Sequence, residues 1–209
     1  VRIFAKNVAI QSLKNEVKHA LTDGWTTFDL RSSQLAIVAK EWGIGGLEQW
    51  LSNPQNNIWT ELCGLFPQVP LVDCKPVVKQ AVYSICYGMT KGGVRANLAS
   101  GLGLTAVDVE PFLVHDLVRE VLQHRKLAAA SIRQNKGARD CFGQWLTSSG
   151  KPSSVRSIMA QLSQAKEMQL LLPAVELARK RPEEFKIVLW EHDGFSVHFK
   201  RKDRVASES

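Results

Sequence analysis

The sequence predicts an α+β fold, and three observations predict it. Most of the chain between residues 33 and 178 carries apolar side chains at helical spacing, punctuated by Pro and Gly. Trp25-Thr26-Thr27-Phe28-Asp29 has the β-branched and aromatic composition of a strand. Near the other end, Lys186–Trp190 and the alternating run Phe195–Lys200 flank an Asp193-Gly194 pair, a dipeptide that favours hairpin turns.

Taken in order, the residues up to about Thr22 read as a short helix. Asp29 falls at a strand-to-helix corner, because Ser32 can cap a helix from Ser33 to about Trp42. Its Leu35, Val38, Ala39 and Trp42 form one apolar stripe ending at Gly43. From Gly46 to Phe66 the pattern is helical, with Leu47, Trp50, Leu51, Trp59, Leu62 and Leu65 expected inside, and Pro67 and Pro70 break it. Pro76 suits the first turn of the next helix, which Gly88 and Gly92-Gly93 end. Val107–Gln123 and Arg125–Ile132 read as two helices, followed by a polar turn at Asn135–Gly137 and a loop from Thr147 to Ser153. A long helix then runs from about Ser154 to Ala178, with Pro173 bending or dividing it. The hairpin closes the pattern, with Asp193 at its tip.

A chain of 209 residues, 44% hydrophobic and 22% charged, can bury a core without disulfides or metal. No apolar run reaches the roughly 18 residues of a membrane span. The first residues lack a secretory h-region, so the sequence reads as a soluble intracellular protein, and Val1 in place of Met reads as a cut from a longer chain. Cys63, Cys74, Cys86 and Cys141 form no Cys-x-x-Cys pair and no zinc spacing, so free buried thiols are expected. A net charge of +7 fits a polyanionic partner, since Lys and Arg displace counterions from phosphates. Its distribution is more telling: no Asp or Glu occurs from Lys75 to Thr105, while Lys75, Lys79, Lys91 and Arg95 all fall inside.

Two constellations carry chemistry. Lys75, Lys79, Tyr83 and Tyr87 recur every four residues, so they line one slowly turning helical face. Two cations followed by two aromatic rings can hold a triphosphate and stack on a base or sugar. The second is the pair of carboxylates Asp29 and Asp193; brought together, such groups bridge divalent ions that prefer hard oxygen ligands. Taken singly, each is better explained as a turn or corner residue, and spacing alone does not pair them.

These segments, in this order, resemble the three signature motifs of family A DNA polymerases, the group containing the bacterial repair polymerase and many phage and organellar replicases. Phe28-Asp29-Leu30-Arg31-Ser32-Ser33-Gln34-Leu35 is similar to the first, Lys75-x3-Lys79-x3-Tyr83-x3-Tyr87-Gly88 to the second, and His192-Asp193 to the third. Separations of 50 residues from Asp29 to Lys79 and 114 from Lys79 to Asp193 fit that layout. The resemblance implies an α+β right-hand architecture: a palm with a small antiparallel sheet and mainly helical fingers. Residues 1–45 and 151–209 would supply the palm and 46–150 the fingers.

It further implies a DNA-directed DNA polymerase using two Mg²⁺ ions, held by Asp29, Asp193 and the carbonyl of Leu30. Lys79 would hold the incoming deoxynucleoside triphosphate with help from Lys75, where the family usually has Arg. Tyr83 would lie against its sugar and base, and a tyrosine there is associated in the family with tolerance of 3′-deoxy substrates. Tyr87 would pack at the templating position, His192 would contact the primer terminus, and Gln161 would touch the minor groove of the primer-template DNA.

Gln34 stands where family members have the Glu that excludes a ribose 2′-hydroxyl, which opens an alternative reading as a single-subunit RNA polymerase. Gly194 replaces the acid that usually follows the His-Asp pair, and Arg31 and Glu191 are unusual neighbours for a metal site. With no thumb or exonuclease domain expected in these residues, the missing parts would come from the same longer chain or a partner, and a non-catalytic nucleic-acid-binding module is the other alternative. The expected setting is DNA replication or repair inside a cell, cytoplasmic or nucleoid-associated, with a phage or organellar origin open.

Overall fold

A computed structural model of the chain describes residues 22–30, 32–190 and 194–200. The helix expected before Thr22 and the turn residues His192 and Asp193 lie outside the described residues. In chain order the elements are β1 (Thr26–Asp29), α1 (Ser33–Trp42), α2 (Gly45–Ser52), α3 (Ile58–Cys63), α4 (Leu71–Cys86), α5 (Lys91–Leu102) and α6 (Glu110–Val114). They continue with α7 (Asp116–Gln134), β2 (Gly137–Arg139), β3 (Trp145–Thr147), α8 (Pro152–Lys180), β4 (Phe185–Trp190) and β5 (Gly194–Phe199). The described residues divide into two units: those before Ser32 together with those after Lys166, and those from Ser32 to Lys166.

The first unit carries a three-stranded antiparallel sheet in the order β1-β5-β4. An aromatic ladder crosses it: Phe195 lies 5.6 Å from Phe28 on β1 and 6.0 Å from Trp190 on β4, centroid to centroid. Such cross-strand pairs stabilise a sheet by about 0.5–1.5 kcal/mol each beyond the area they bury, and they oppose a register slip. The hydroxyls of Thr27 and Ser196, paired across β1 and β5, share a 2.9 Å hydrogen bond. A bulge at Val188 shifts the β4–β5 register between Ile187 and Leu189.

The second unit is helical around a buried core. Leu35, Leu47, Leu62, Phe66, Val78, Ile85, Leu98, Phe112 and Val121 are its main apolar members, and Phe66 stacks on Phe112 with centroids 6.5 Å apart. A smaller cluster gathers Ala129, Ile132, Leu146, Val155, Ile158 and Met159 beneath the β2–β3 hairpin.

Helix α1 has the predicted bounds and ends at Gly43 in the left-handed region, but Ser32, itself left-handed at φ 52°, makes no side-chain cap. The single stretch expected over Gly46–Phe66 is two helices separated at Asn53–Asn57, and Asn57 caps the second by accepting from Trp59 N and Thr60 N. Leu47 and Leu62 are buried as expected, while Trp50, Leu51, Trp59 and Leu65 are half-buried.

Helix α4 begins at Leu71, so Pro76 lies inside it and not in its first turn. The proline removes only the bond to the Val72 carbonyl, and Val72, 78% exposed, leaves that end to water. Gly92 and Gly93 belong to the first turn of α5, capped by Thr90 Oγ1, and do not end α4. The break expected near residue 124 occurs at His115, whose extended backbone separates α6 from α7. Strands β2 and β3, which were not expected, form between the predicted turn and loop and meet them only at Gly137 and Thr147, and α8 continues through Pro173 undivided.

Candidate functional site

Asp29 closes β1, exposed, and pairs in register with Gly194, the residue that follows Asp193 in sequence. A Cβ at Gly194 would run into the carbonyl oxygen of Phe28 and lie 3.1 Å from the Asp29 Cα. The close approach of two backbones accounts for glycine at this position. Leu30, half-buried, follows Asp29 directly. Among the described residues, no group of three or more His, Cys, Asp or Glu could hold a metal ion.

The Lys75, Lys79 and Tyr83 face forms as the four-residue spacing requires. Helix α4 buries Cys74, Val78, Ala81, Val82, Ile85 and Cys86, which turns Lys75 outward and leaves Lys79 and Tyr83 half-buried at the boundary. Lys79 Nζ lies 5.4 Å from the Tyr83 ring centroid, within cation–π range. Trp59 meets the same ring edge-on, 5.9 Å away at 81°, and braces it. One ammonium and one aromatic face are thereby presented together.

Tyr87 is the last residue of that periodicity but lies outside the regular helix, as its C-cap, with its N–H bonded 2.9 Å to the Tyr83 carbonyl. Gly88 then turns left-handed at φ 86°, and Met89 N reaches back 2.8 Å to Ser84 O. The turn is bolted from outside. Arg125 on α7, 9% exposed, donates Nε and Nη2 to the Gly88 carbonyl at 3.0 and 2.5 Å. Burial lowers the Arg125 pKa, and the charges of Arg133 and Arg156 lower it further. A side chain at Gly88 would lie 2.8 Å from Met159 Sδ and 3.3 Å from Arg156 Cγ, so α8 closes the other side.

Gln34 is 3% exposed on α1, and its Oε1 accepts a short hydrogen bond from the Ser163 hydroxyl of α8, itself 5% exposed. Gln161 is exposed, with its amide donating to Ser157 Oγ at 3.1 Å. The four cysteines are free, three of them buried, and burial pushes Cys74 and Cys86 up to about 12, too high for thiolate chemistry near neutral pH. A cavity of about 490 Å³ lies among α1, α7, α8 and the β2–β3 hairpin, with the Glu41–Lys166 ion pair at 3.1 Å on its wall; none of the sequence-predicted site residues lines it.

Sequence reasoning gave Arg125 and Ser163 no role and placed Trp59 only among the residues expected inside. Arg125 had a readable signal: it falls in the stripe Val118, Val121, Leu122, Arg125, Ala129, Ile132, where a cation inside an apolar face requires a partner. The contacts of Ser163 with Gln34 and of Trp59 with Tyr83 carried no signal, because only folding brings these residues together.

No sequence-family profile and no curated protein matches the chain. Among solved structures it is similar in fold to the POL domain of Pol1 from M. smegmatis, determined in complex with DNA primer-template and dNTP, with a TM-score of 0.65 and 17% identity. The match covers 92% of this chain and 38% of that one. The mixed helix-and-sheet architecture with small antiparallel sheets is thus similar to that of a polymerase domain. Among the described residues, no helix is long and apolar enough to cross a membrane.

Proposed function

We propose that the chain is the palm and fingers core of a template-directed nucleotidyltransferase, a family A DNA polymerase acting on a DNA primer-template with deoxynucleoside triphosphates. The observation that carries this reading is the register of β1 on β5, which sets Asp29 opposite the neighbour of Asp193 in a fold similar to a polymerase domain. The donor set suits Mg²⁺: two carboxylates, Asp29 and Asp193, and the carbonyl of Leu30, all hard oxygens. When bound, two such ions supply Lewis-acid activation of a 3′-hydroxyl and neutralise charge on the leaving pyrophosphate.

The protein's own groups bind and orient. Lys79, with Lys75 beside it, meets the triphosphate as a point charge, and its position over the Tyr83 ring couples phosphate binding to the surface on which sugar and base lie. Trp59 holds that ring in place. Tyr87, fixed by the Gly88 turn, packs at the templating position, and Arg125 sets that turn. His192 contacts the primer terminus, and Gln161, exposed on α8, reaches the duplex minor groove. Gln34 shapes the sugar side of the site from within the fold, held by Ser163.

The test is primer extension by the protein on a DNA primer-template, with Mg²⁺ and dNTPs. Asp193→Ala is expected to abolish extension while leaving the fold intact by circular dichroism. Extension at the wild-type rate would refute the assignment.

A further inference from the structure

Strand alternation in β3 sends Leu146 inward, 9% exposed among Ile132, Val155 and Met159, and turns Trp145 outward, 48% exposed. Phe142, in the β2–β3 turn, is 53% exposed. Large aromatic rings left in water on both the strand and the turn of one small hairpin add nothing to the core beneath it.

The Trp145 ring is held against β2, and the backbone of the turn that carries Phe142 is fixed. The Trp145 indole lies so close across β2 that a Cβ at Gly137 would be 2.9 Å from its Nε1. The Asp140 carboxylate accepts from Phe142 N at 2.9 Å and Gln144 N at 2.8 Å, and Asp140 N returns a 2.9 Å bond to Gln144 O, which fixes the turn. Arg139 pairs directly opposite Trp145, so a guanidinium and an indole share one face, and Arg139 Nη1 is anchored on Gly143 O at 2.6 Å. Lys136, exposed at φ 55°, leads into β2. Between residues 121 and 165 the sequence holds seven Lys or Arg and a single acid, Asp140, whose Oδ1 the turn occupies.

We propose that the β2–β3 hairpin is a stacking platform for single-stranded nucleic acid, with bases lying on Trp145 and Phe142 and phosphates facing Arg139 and Lys136. Every base offers a π-face, so such a platform is tolerant of sequence, and cations beside it track the backbone. A single strand is the fitting partner because bases in a duplex are already stacked on one another. The inference goes beyond nucleotidyl transfer and does not involve Asp29 or Asp193.

The test is fluorescence anisotropy of a labelled oligo(dT) of about 20 nucleotides titrated with the full chain, without divalent ions or nucleotide, over a range of NaCl. Wild type is expected to bind with affinity falling linearly in log salt. Trp145→Ala and Phe142→Ala, both at exposed positions, each weaken binding about tenfold with the salt slope unchanged. Trp145→Phe keeps wild-type affinity, and Lys136→Gln lowers the slope by about 0.7. Undiminished binding by both alanine variants, with wild-type melting temperatures, overturns the platform and leaves the polymerase reading standing on its own primer-extension test. Competition by blunt duplex as strong as by oligo(dT) overturns the choice of partner, and a wild-type chain that binds no DNA overturns both proposals.

Discussion

Replacing Arg125 by Met removes both hydrogen bonds to the Gly88 carbonyl while keeping most of the stem that packs between α4 and α7. Hydrogen bonds from a charged donor contribute about 1.5–3 kcal/mol each. Against this, the guanidinium is desolvated and repelled by Arg133 and Arg156, so part of that gain is already offset in the wild type. The net loss worked from these terms is about 2–3 kcal/mol. In a protein of this size 1 kcal/mol moves Tm by about 2–4 °C, so Arg125→Met is expected to melt about 5–10 °C lower. Arg125→Lys, with its charge retained but no bidentate fork, falls between. Thermal unfolding followed at 222 nm measures both. Arg125→Met melting within about 1 °C of wild type would show that the Gly88 turn stands without Arg125 and would refute this account of how Tyr87 is positioned.

Other consequences follow from the same geometry. Gly194→Ala forces β1 away from β5 at the Asp29 pair, an overpacking cost of about 1–3 kcal/mol, and amide exchange in Thr26–Asp29 should quicken; unchanged protection would contradict the close approach. Glu110 accepts from Lys91 Nζ at 2.9 Å and Arg95 Nη2 at 2.6 Å, and these partners, Lys91 foremost, hold its carboxyl below the usual range. Its stabilising contribution is present above the unfolded-state pKa and is lost as pH falls through the depressed folded-state value. The melting difference between wild type and Glu110→Gln is thus expected at neutral pH and should vanish in acid, whereas a difference that persists in acid would argue against it. On the proposed polymerase function, Gln34→Glu should favour dATP over ATP in primer extension by about tenfold more than wild type does, a change of about 1.4 kcal/mol in discrimination. Equal use of both sugars by the wild type would favour the RNA-polymerase alternative.

The sequence revealed what local chemistry encodes. Gly43 ends α1 because only glycine takes its left-handed conformation without strain. The pairing strands β4 and β5 were visible from composition, although the apolar-polar alternation of β5 does not match its burial, with Ser196 buried and Phe199 exposed. Helix α4's cation-aromatic face was legible because four-residue spacing is itself helical geometry. Elements set by tertiary context were hidden. Strands of three residues in β2 and β3, with Trp145 on the water side, leave no alternation to read. Pro76 looked like a helix start because its tolerance deep in α4 depends on a solvent-facing Val72 carbonyl. The burial of Gln34 against Ser163 spans 129 residues and depends on α8 meeting α1, which no local pattern carries.

The claim at the centre is that Asp29 and Asp193 share divalent ions. Anomalous diffraction from crystals grown with Mn²⁺, primer-template and a dNTP measures this directly. The account predicts Mn²⁺ peaks about 3.5–4 Å apart, ligated by oxygens of both carboxylates. Carboxylates more than about 10 Å apart, or Mn²⁺ bound to neither, would contradict it.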